Sequence, residues 1–257
     1  MSLLEVRDLD IEFATTSGRV QAVSGVSFSA EPGETVVLLG PSGCGKTTVL
    51  RTVGGLVAPS SGTVRFEGRD VTGPGADRVM MFQEHSLYPW LTVAGNIAFG
   101  LRSSGAPRRQ RDAAVADWIG RVQLTGAERR YPSELSGGMR QRVALARSLA
   151  SGARMILMDE PFAALDAQTR VDMQEQLRAL VHAESRSVLF VTHDIDEAIA
   201  LGDRLIVMGT RPGRIVDELE NPLAPDRGPG TFASPEYGRL KERISRLIRE
   251  GRALRTP

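Results

Sequence analysis

Thr35-Val36-Val37-Leu38-Leu39-Gly40-Pro41-Ser42-Gly43-Cys44-Gly45-Lys46-Thr47 is the stretch on which the fold turns. Thr35 to Leu39 is a short apolar run, the pattern of a strand buried on both faces of a parallel sheet. It breaks at Gly40, and Gly40 to Thr47 fits the phosphate-loop pattern G-x-x-x-x-G-K-[ST]. Glycines at 40, 43 and 45 let backbone N–H groups turn inward as an anion nest. A helix from Lys46 to about Val53 aims the positive end of its dipole at the same point. In this pattern Lys46 reaches the β- and γ-phosphates and the Thr47 hydroxyl is placed to hold Mg²⁺. Pro41, Ser42, Cys44 and Thr48 complete the nucleotide-binding set, with Cys44 at a variable position where the loop uses the backbone rather than the sulfur.

Basic residues elsewhere in the chain set Lys46 apart. Of 32 basic residues only Lys46 and Lys241 are lysines. Genome composition accounts for most of the arginines. The exception at 46 falls where a compact, flexible ammonium must reach a phosphate.

Three further apolar runs read as buried parallel strands: Met155 to Met158 ending at Asp159-Glu160, Ser187 to Thr192 ending at His193, and Arg204 to Met208 ending at Gly209. Ligands of open α/β sheets sit at the carboxyl ends of the strands, so these ends point to one site. Asp159 is placed as the Mg²⁺-linked acid of a P-loop NTPase. Glu160 beside it could accept a proton from water attacking the γ-phosphate. The alternative is a pair of solvated acids at a strand end.

Upstream, Glu5 to Phe13 and Val20 to Ala30 partly alternate around a turn at Thr15 to Gly18, which predicts an antiparallel edge piece. Gly40 to Asp159 is too long for one crossover helix. Its middle, about Ser86 to Ala153, reads as helical, with helices over Ala113 to Val122 and Met139 to Ala150. Asn221 to Gly230 is a loop by composition. A last helix, Pro235 to Glu250, sets Leu240, Ile244, Leu247 and Ile248 at helical spacing. Its other face is basic: a solvated face on a packed helix, or a membrane-surface or partner contact. The expected fold is α/β, a P-loop NTPase core with an N-terminal antiparallel β piece and an inserted helical subdomain. The ATPase domain is set at 1–220, the subdomain at about 86–153, and a linker with the amphipathic helix at 221–257.

Composition narrows the class. The chain has 257 residues with 32 basic against 31 acidic, so no overall basic field suggests nucleic acid. No apolar run approaches the roughly 18–20 residues that span a bilayer, and the start lacks a signal-peptide pattern. Cys44 is the single cysteine. It excludes an internal disulfide and suits a reducing compartment. These features predict a soluble cytosolic domain.

Leu135-Ser136-Gly137-Gly138-Met139-Arg140-Gln141 decides the family. A serine placed like an N-cap and two glycines before a helix would alone be a plain cap. Together with the phosphate loop, it makes the chain resemble the ATP-binding subunit of an ABC transporter over about Leu3 to Glu220. The resemblance implies roles residue by residue. Gln83 joins core to helical subdomain and contacts Mg²⁺ and the attacking water. Glu160 is the general base, and His193 contacts the γ-phosphate. Asp166, in Ala164-Leu165-Asp166, lies in the loop that crosses the dimer interface. Ser136, Gly137 and Gly138 contact the γ-phosphate held by the other protomer. Phe13 is the candidate for the aromatic that stacks on adenine, with a core position as its alternative.

Met139 stands where the family usually has glutamine. Together with Pro89-Trp90 and Arg211-Pro212-Gly213-Arg214-Ile215, it resembles the nitrate, sulfonate and taurine importer branch. Tyr88 and Trp90 fall in the region lining the groove for a permease helix, or else pack the subdomain. The resemblance thus implies ATP and Mg²⁺ and a second ATPase subunit, the homodimer being the first choice. It further implies membrane permease subunits, an indirect solute-binding protein, and a peripheral place on the cytoplasmic face of the inner membrane. ABC-type ATPases of nucleic-acid repair would carry a long coiled coil or a basic DNA face, and neither is visible. An iron–sulfur assembly scaffold is disfavoured by the lone cysteine.

Overall fold

The computed structural model describes residues 2–16, 18–82, 87–104, 108–223 and 231–253. The chain opens with β1 (Leu4–Thr15), β2 (Gly18–Ala30), β3 (Thr35–Leu39), α1 (Lys46–Val53), β4 (Ser61–Phe66), β5 (Arg69–Asp70) and β6 (Arg78–Met81). It continues with α2 (Val93–Gly100), α3 (Arg108–Arg121), α4 (Gly137–Ala150), β7 (Met155–Asp159) and α5 (Ala167–Ala183). It ends with β8 (Ser187–Thr192), α6 (Ile195–Leu201), β9 (Arg204–Gly209), β10 (Arg214–Glu220) and α7 (Pro235–Ala253). Two compact units result: Met1–Pro74 with Ser187–Pro257, and Gly75–Arg186.

The first unit holds two sets of strands. β1 lies between β2 and β4, antiparallel to both, with β5 beyond β4. β3 lies between β8 and β9, parallel to both, and β10 runs antiparallel on β9. Val36–Leu39, Val188–Val191 and Leu205–Met208 are all buried, as strands covered on both faces must be. The register sets Leu39 opposite Thr192 on one side and Val207 on the other. Pairing therefore brings the chain following β3, β8 and β9 to one edge. α7 packs along β9 and α6 through Tyr237, Leu240 and Ile244.

In the second unit β6 and β7 pair in parallel, and α4 packs against α2, α3 and α5. The helix expected from Met139 starts at Gly137 instead. Ser136 is its N-cap, accepting the Met139 N–H at 3.2 Å, so both glycines lie in the first turn. The helix α5 and the strand β4 escape periodicity for a physical reason. β4 buries only Val64 and Phe66, and α5 mixes a buried Gln174 with its apolar Met173, Leu177, Leu180 and Val181. Weak amphipathic contrast leaves little pattern to read.

Candidate active site

The phosphate loop lies where β3 passes into α1. Helices α2, α4, α5 and α6 each begin on a side-chain cap, from Thr92, Ser136, Asp166 and Asp194. α1 instead begins on Gly45, at φ 90°, a left-handed conformation that favours glycine. With no side chain there, the first-turn N–H groups stay available to a ligand. Gly40 is needed for space, since a Cβ would lie 2.5 Å from the Met208 carbonyl oxygen.

Lys46 is only 4% exposed, and its Nζ donates to the carbonyl oxygens of Gly40 at 2.8 Å and Pro41 at 3.1 Å. Among the described residues no carboxylate forms an ion pair with it. A buried ammonium met only by neutral dipoles is incompletely compensated, and an incoming phosphate supplies the missing charge. Cys44 is buried beside it, and burial pushes its thiol up in pKa against the opposing pull of Lys46. The sulfur therefore stays protonated and unreactive.

His193 follows Thr192, the in-register partner of Leu39, and so stands at the strand end next to Gly40. Its flanks are pinned. Thr192 Oγ1 bonds the buried Glu197 carboxylate and accepts the Asp194 N–H at 3.0 Å. Asp194 then caps α6 by accepting the N–H groups of Asp196 and Glu197.

The turn after β9 touches the loop from the other side. Gly213 donates its N–H to the Ala22 carbonyl at 3.0 Å and accepts from the Ser24 N–H at 2.8 Å. A Cβ on Gly213 would meet the Cys44 carbonyl oxygen at 2.2 Å. Nothing in the sequence pattern marks this role. Gly213→Ala is expected to introduce overpacking worth about 1–3 kcal/mol. If the loop moves to relieve it, nucleotide affinity falls roughly tenfold or more. Titration with a fluorescent ATP analogue checks this. Pro41, Ser42 and Gly43, with Thr210, Arg211 and Arg252, line an open cleft of about 480 Å³ at this edge.

Phe13 is 42% exposed, so the core alternative does not hold. It pairs with Val20, two residues before Ala22, whose carbonyl oxygen lies 3.1 Å from where a Gly45 Cβ would stand. Phe13 is thus an exposed aromatic on the strand pair that borders the phosphate loop.

The second unit carries the other residues. Asp159 ends β7 and is 5% exposed. Glu160 follows at φ 45°, an uncommon conformation for a residue with a side chain, of the kind that clusters at functional sites. Asp166 accepts the Thr169 N–H at 3.0 Å as the cap of α5, and that bond holds its carboxyl below the usual carboxylate range. The starts of α4 and α5 lie together. A Cβ on Gly138 would meet the Thr169 methyl at 2.8 Å, and one on Gly137 the Leu165 side chain at 3.9 Å. Ser136 is exposed, and while it accepts from Met139 its hydroxyl hydrogen can still be donated. Gln83 lies outside the described residues.

The same unit has a groove of about 470 Å³, lined by Met80, Phe82, Tyr88, Phe99, Arg102 and Arg147 among others. Tyr88 is built in. Its backbone N–H and carbonyl both bond the buried Asn96, its ring lies 4.5 Å from that of Phe99, and the Arg147 guanidinium lies over the ring, 5.4 Å from its centre. Trp90 is 70% exposed, its ring 5.5 Å from that of Tyr88. Among the described residues no helix is long and apolar enough to cross a membrane.

A glycine loop between a buried parallel strand and a helix with no side-chain cap, closed over a buried lysine, defines a P-loop nucleoside triphosphatase. The chain belongs to the ABC transporter family, whose model matches residues 23–163. It is an ATP-binding ATPase of that family. It is 47% identical over 228 residues to the taurine import ATP-binding protein TauB of Chromobacterium violaceum, which covers 87% of each chain. It is 43% identical over 252 residues to the nitrate import ATP-binding protein NrtD of Synechocystis sp., covering 96% of this chain and 95% of the relative. Among solved structures it is similar to the dimeric post-hydrolysis state of the ATP-binding cassette MJ0796 bound to ADP and Pi. There the TM-score is 0.73 at 28% identity, covering 84% of this chain and 98% of that one.

Proposed function

We propose that this chain is the ATP-hydrolysing subunit of an ABC importer, paired with a second ATPase subunit and driving a separate membrane permease. The observation that carries the nucleotide chemistry is Lys46, a buried ammonium held by neutral loop groups, the Gly40 and Pro41 carbonyls and the Cys44 sulfur. The importer reading rests on relatives named for taurine and nitrate import. It makes the solute a small anion or zwitterion of that kind, delivered by a solute-binding protein. The ATPase domain is 1–220, with the helical subdomain about 86–153, followed by a linker and amphipathic helix at 221–257. Such a subunit sits on the cytoplasmic face of the inner membrane.

In this reading Gly40 to Thr48 wrap the phosphates and Phe13 stacks on adenine. Thr47 and Asp159, a hydroxyl and a nearly buried carboxylate, fit Mg²⁺, which takes one or two protein oxygens and completes its shell with phosphate and water. Gln83 joins that set. Bound Mg²⁺ supplies neutralisation of the developing phosphate charge. Glu160 accepts the proton of the attacking water, and His193 holds the γ-phosphate. Ser136, Gly137 and Gly138 donate to the phosphate held by the partner, and Asp166 lies at that interface.

The groove beside Trp90 receives a permease helix. An indole so exposed next to an aromatic-lined groove is the kind of anchor that dominates interfaces. A tagged chain drawn from solubilised native membranes is expected to retain a polytopic membrane protein. Trp90→Ala should lose it while keeping basal ATPase and melting temperature. Tyr88→Ala, in contrast, should lower the melting temperature, because Tyr88 packs on Phe99. Undiminished retention by Trp90→Ala removes the groove from the interface. Failure of the wild-type chain to retain any membrane protein sinks the importer reading.

A further inference from the structure

Helix α7 lies beyond the part of the chain matched by the family model, and the catalytic reading above makes no use of it. One end touches the first turn of α6, and the other the chain just after β9, both in the first unit. At the first end, the Tyr237 hydroxyl donates to Asp196 Oδ1, and Lys241 Nζ lies 2.6 Å from the same oxygen. Asp196 is in the first turn of α6, and its N–H is bonded to Asp194, the residue after His193. At the other end, the Gly251 carbonyl accepts the Thr210 N–H at 3.3 Å. The two backbones meet there closely: a Cβ on Gly209 would lie 2.8 Å from the Gly251 oxygen. Thr210 leads into the turn whose Gly213 abuts Cys44. Between the ends, Ile244 is fully buried and Arg243 pairs with Asp217 at 3.0 Å.

We propose that α7 is a strap that positions the His193 turn against the phosphate loop, with Tyr237 as the positioning residue at the His193 end. Two observations favour a positioning role over plain core packing. At the first end two polar contacts converge on one carboxylate in a turn adjoining a site residue, and the far end is joined backbone to backbone, where nothing can swing. Of the two partners of Asp196, Tyr237 is the firmer. Lys241 and Asp196 are 45% and 50% exposed, and exposed pairs hold geometry weakly. The phenol belongs to a residue only 9% exposed and donates to a charged acceptor, the stronger kind of bond. Burial and the neighbouring Asp196 push its pKa up, so it remains a donor throughout the working range.

The proposal rests on the reading of His193 as a γ-phosphate contact, and the test separates the two. Tyr237→Phe keeps the buried ring and removes only the hydroxyl. Asp196→Asn keeps the helix position and removes the shared charge. For each full-length variant, amide exchange over 194–198, the steady-state kcat and KM for ATP, and the melting temperature are measured. The same is done in a His193→Ala background. Exchange over 194–198 is expected to rise about tenfold, and kcat to fall about tenfold, as displacement of a catalytic group by a fraction of an ångström does. KM should stay within about twofold, because the phosphate loop itself is untouched. In the His193→Ala background Tyr237→Phe should add no further loss. Unchanged exchange overturns the strap whatever the rates do, and faster exchange with unchanged kcat overturns its part in turnover. A further full loss in the His193→Ala background shows that Tyr237 does not act through His193 and overturns the proposal. If His193→Ala alone turns over at the wild-type rate, the His193 reading falls. Faster exchange over 194–198 in Tyr237→Phe would then still support α7 as a strap on that turn, without a part in turnover through His193.

Discussion

Glu160→Gln is expected to bind ATP as tightly as the wild type and to hydrolyse it about 10³-fold more slowly, the scale of a lost general base. The amide has nearly the carboxylate's shape but cannot take a proton from water. The left-handed backbone at 160 makes the same demand on either side chain. Lys46, Thr47 and the loop amides, which hold the nucleotide, are unchanged. Lys46→Ala separates the other half of the function. It removes the buried ammonium, so nucleotide binding itself weakens, while the chain loses a charge that only neutral loop groups were holding. An ATP-binding isotherm and a single-turnover rate for each variant are the paired measurements. Near wild-type hydrolysis by Glu160→Gln would falsify the assignment of the base.

Activity is expected to reappear when two dead variants are mixed. If Ser136 completes the partner's site, each site consists of one chain's Lys46 and the other's Ser136. Homodimers of Lys46→Ala and of Ser136→Arg then have no intact site. A mixed dimer regains one, from Lys46 of the Ser136→Arg chain and Ser136 of the Lys46→Ala chain. The structure makes the arginine variant usable, because Ser136 is exposed and its loss removes one cap bond, worth about 1 kcal/mol. Folding should survive, while the side chain's bulk blocks approach of the α4 terminus to a phosphate. Differently tagged chains, purified through both tags, establish that mixed dimers are present. ATPase above both parents supports the shared site. Mixed dimers with no such activity count against it, since a Ser136 acting on its own chain leaves every site in the mixture broken.

The Trp90 result bears on how these sites are used. Tyr88 and Trp90 are neighbours of one type in sequence, yet one is held by Asn96 and Phe99 while the other faces solvent. Substituting both at once would merge a packing loss with an interface loss. Single variants keep them apart.

Local patterns in the sequence sufficed for the parts of this protein whose physics is local. The four apolar runs are strands because a strand covered on both faces has no polar side to show, and Thr35–Leu39 and Ser187–Thr192 fall where they were expected. The phosphate loop is legible because an anion nest needs glycines at short fixed spacing before a helix. Ser136 as a cap is legible because its partner, the Met139 N–H, is three residues away. What tertiary structure decided is everything whose partners are distant in sequence. The register Leu39↔Thr192 brings His193 beside Gly40 from 153 positions along the chain, and no periodicity encodes which strand pairs with which. Gly213 reads as a turn glycine, and only the Cys44 carbonyl lying against it makes a side chain there intolerable. The last helix announces its buried face by spacing. That Tyr237 and Gly251 grip the start of α6 and the chain after β9 follows from where that face docks, a choice set by the shape of the surface it covers and not by the helix itself.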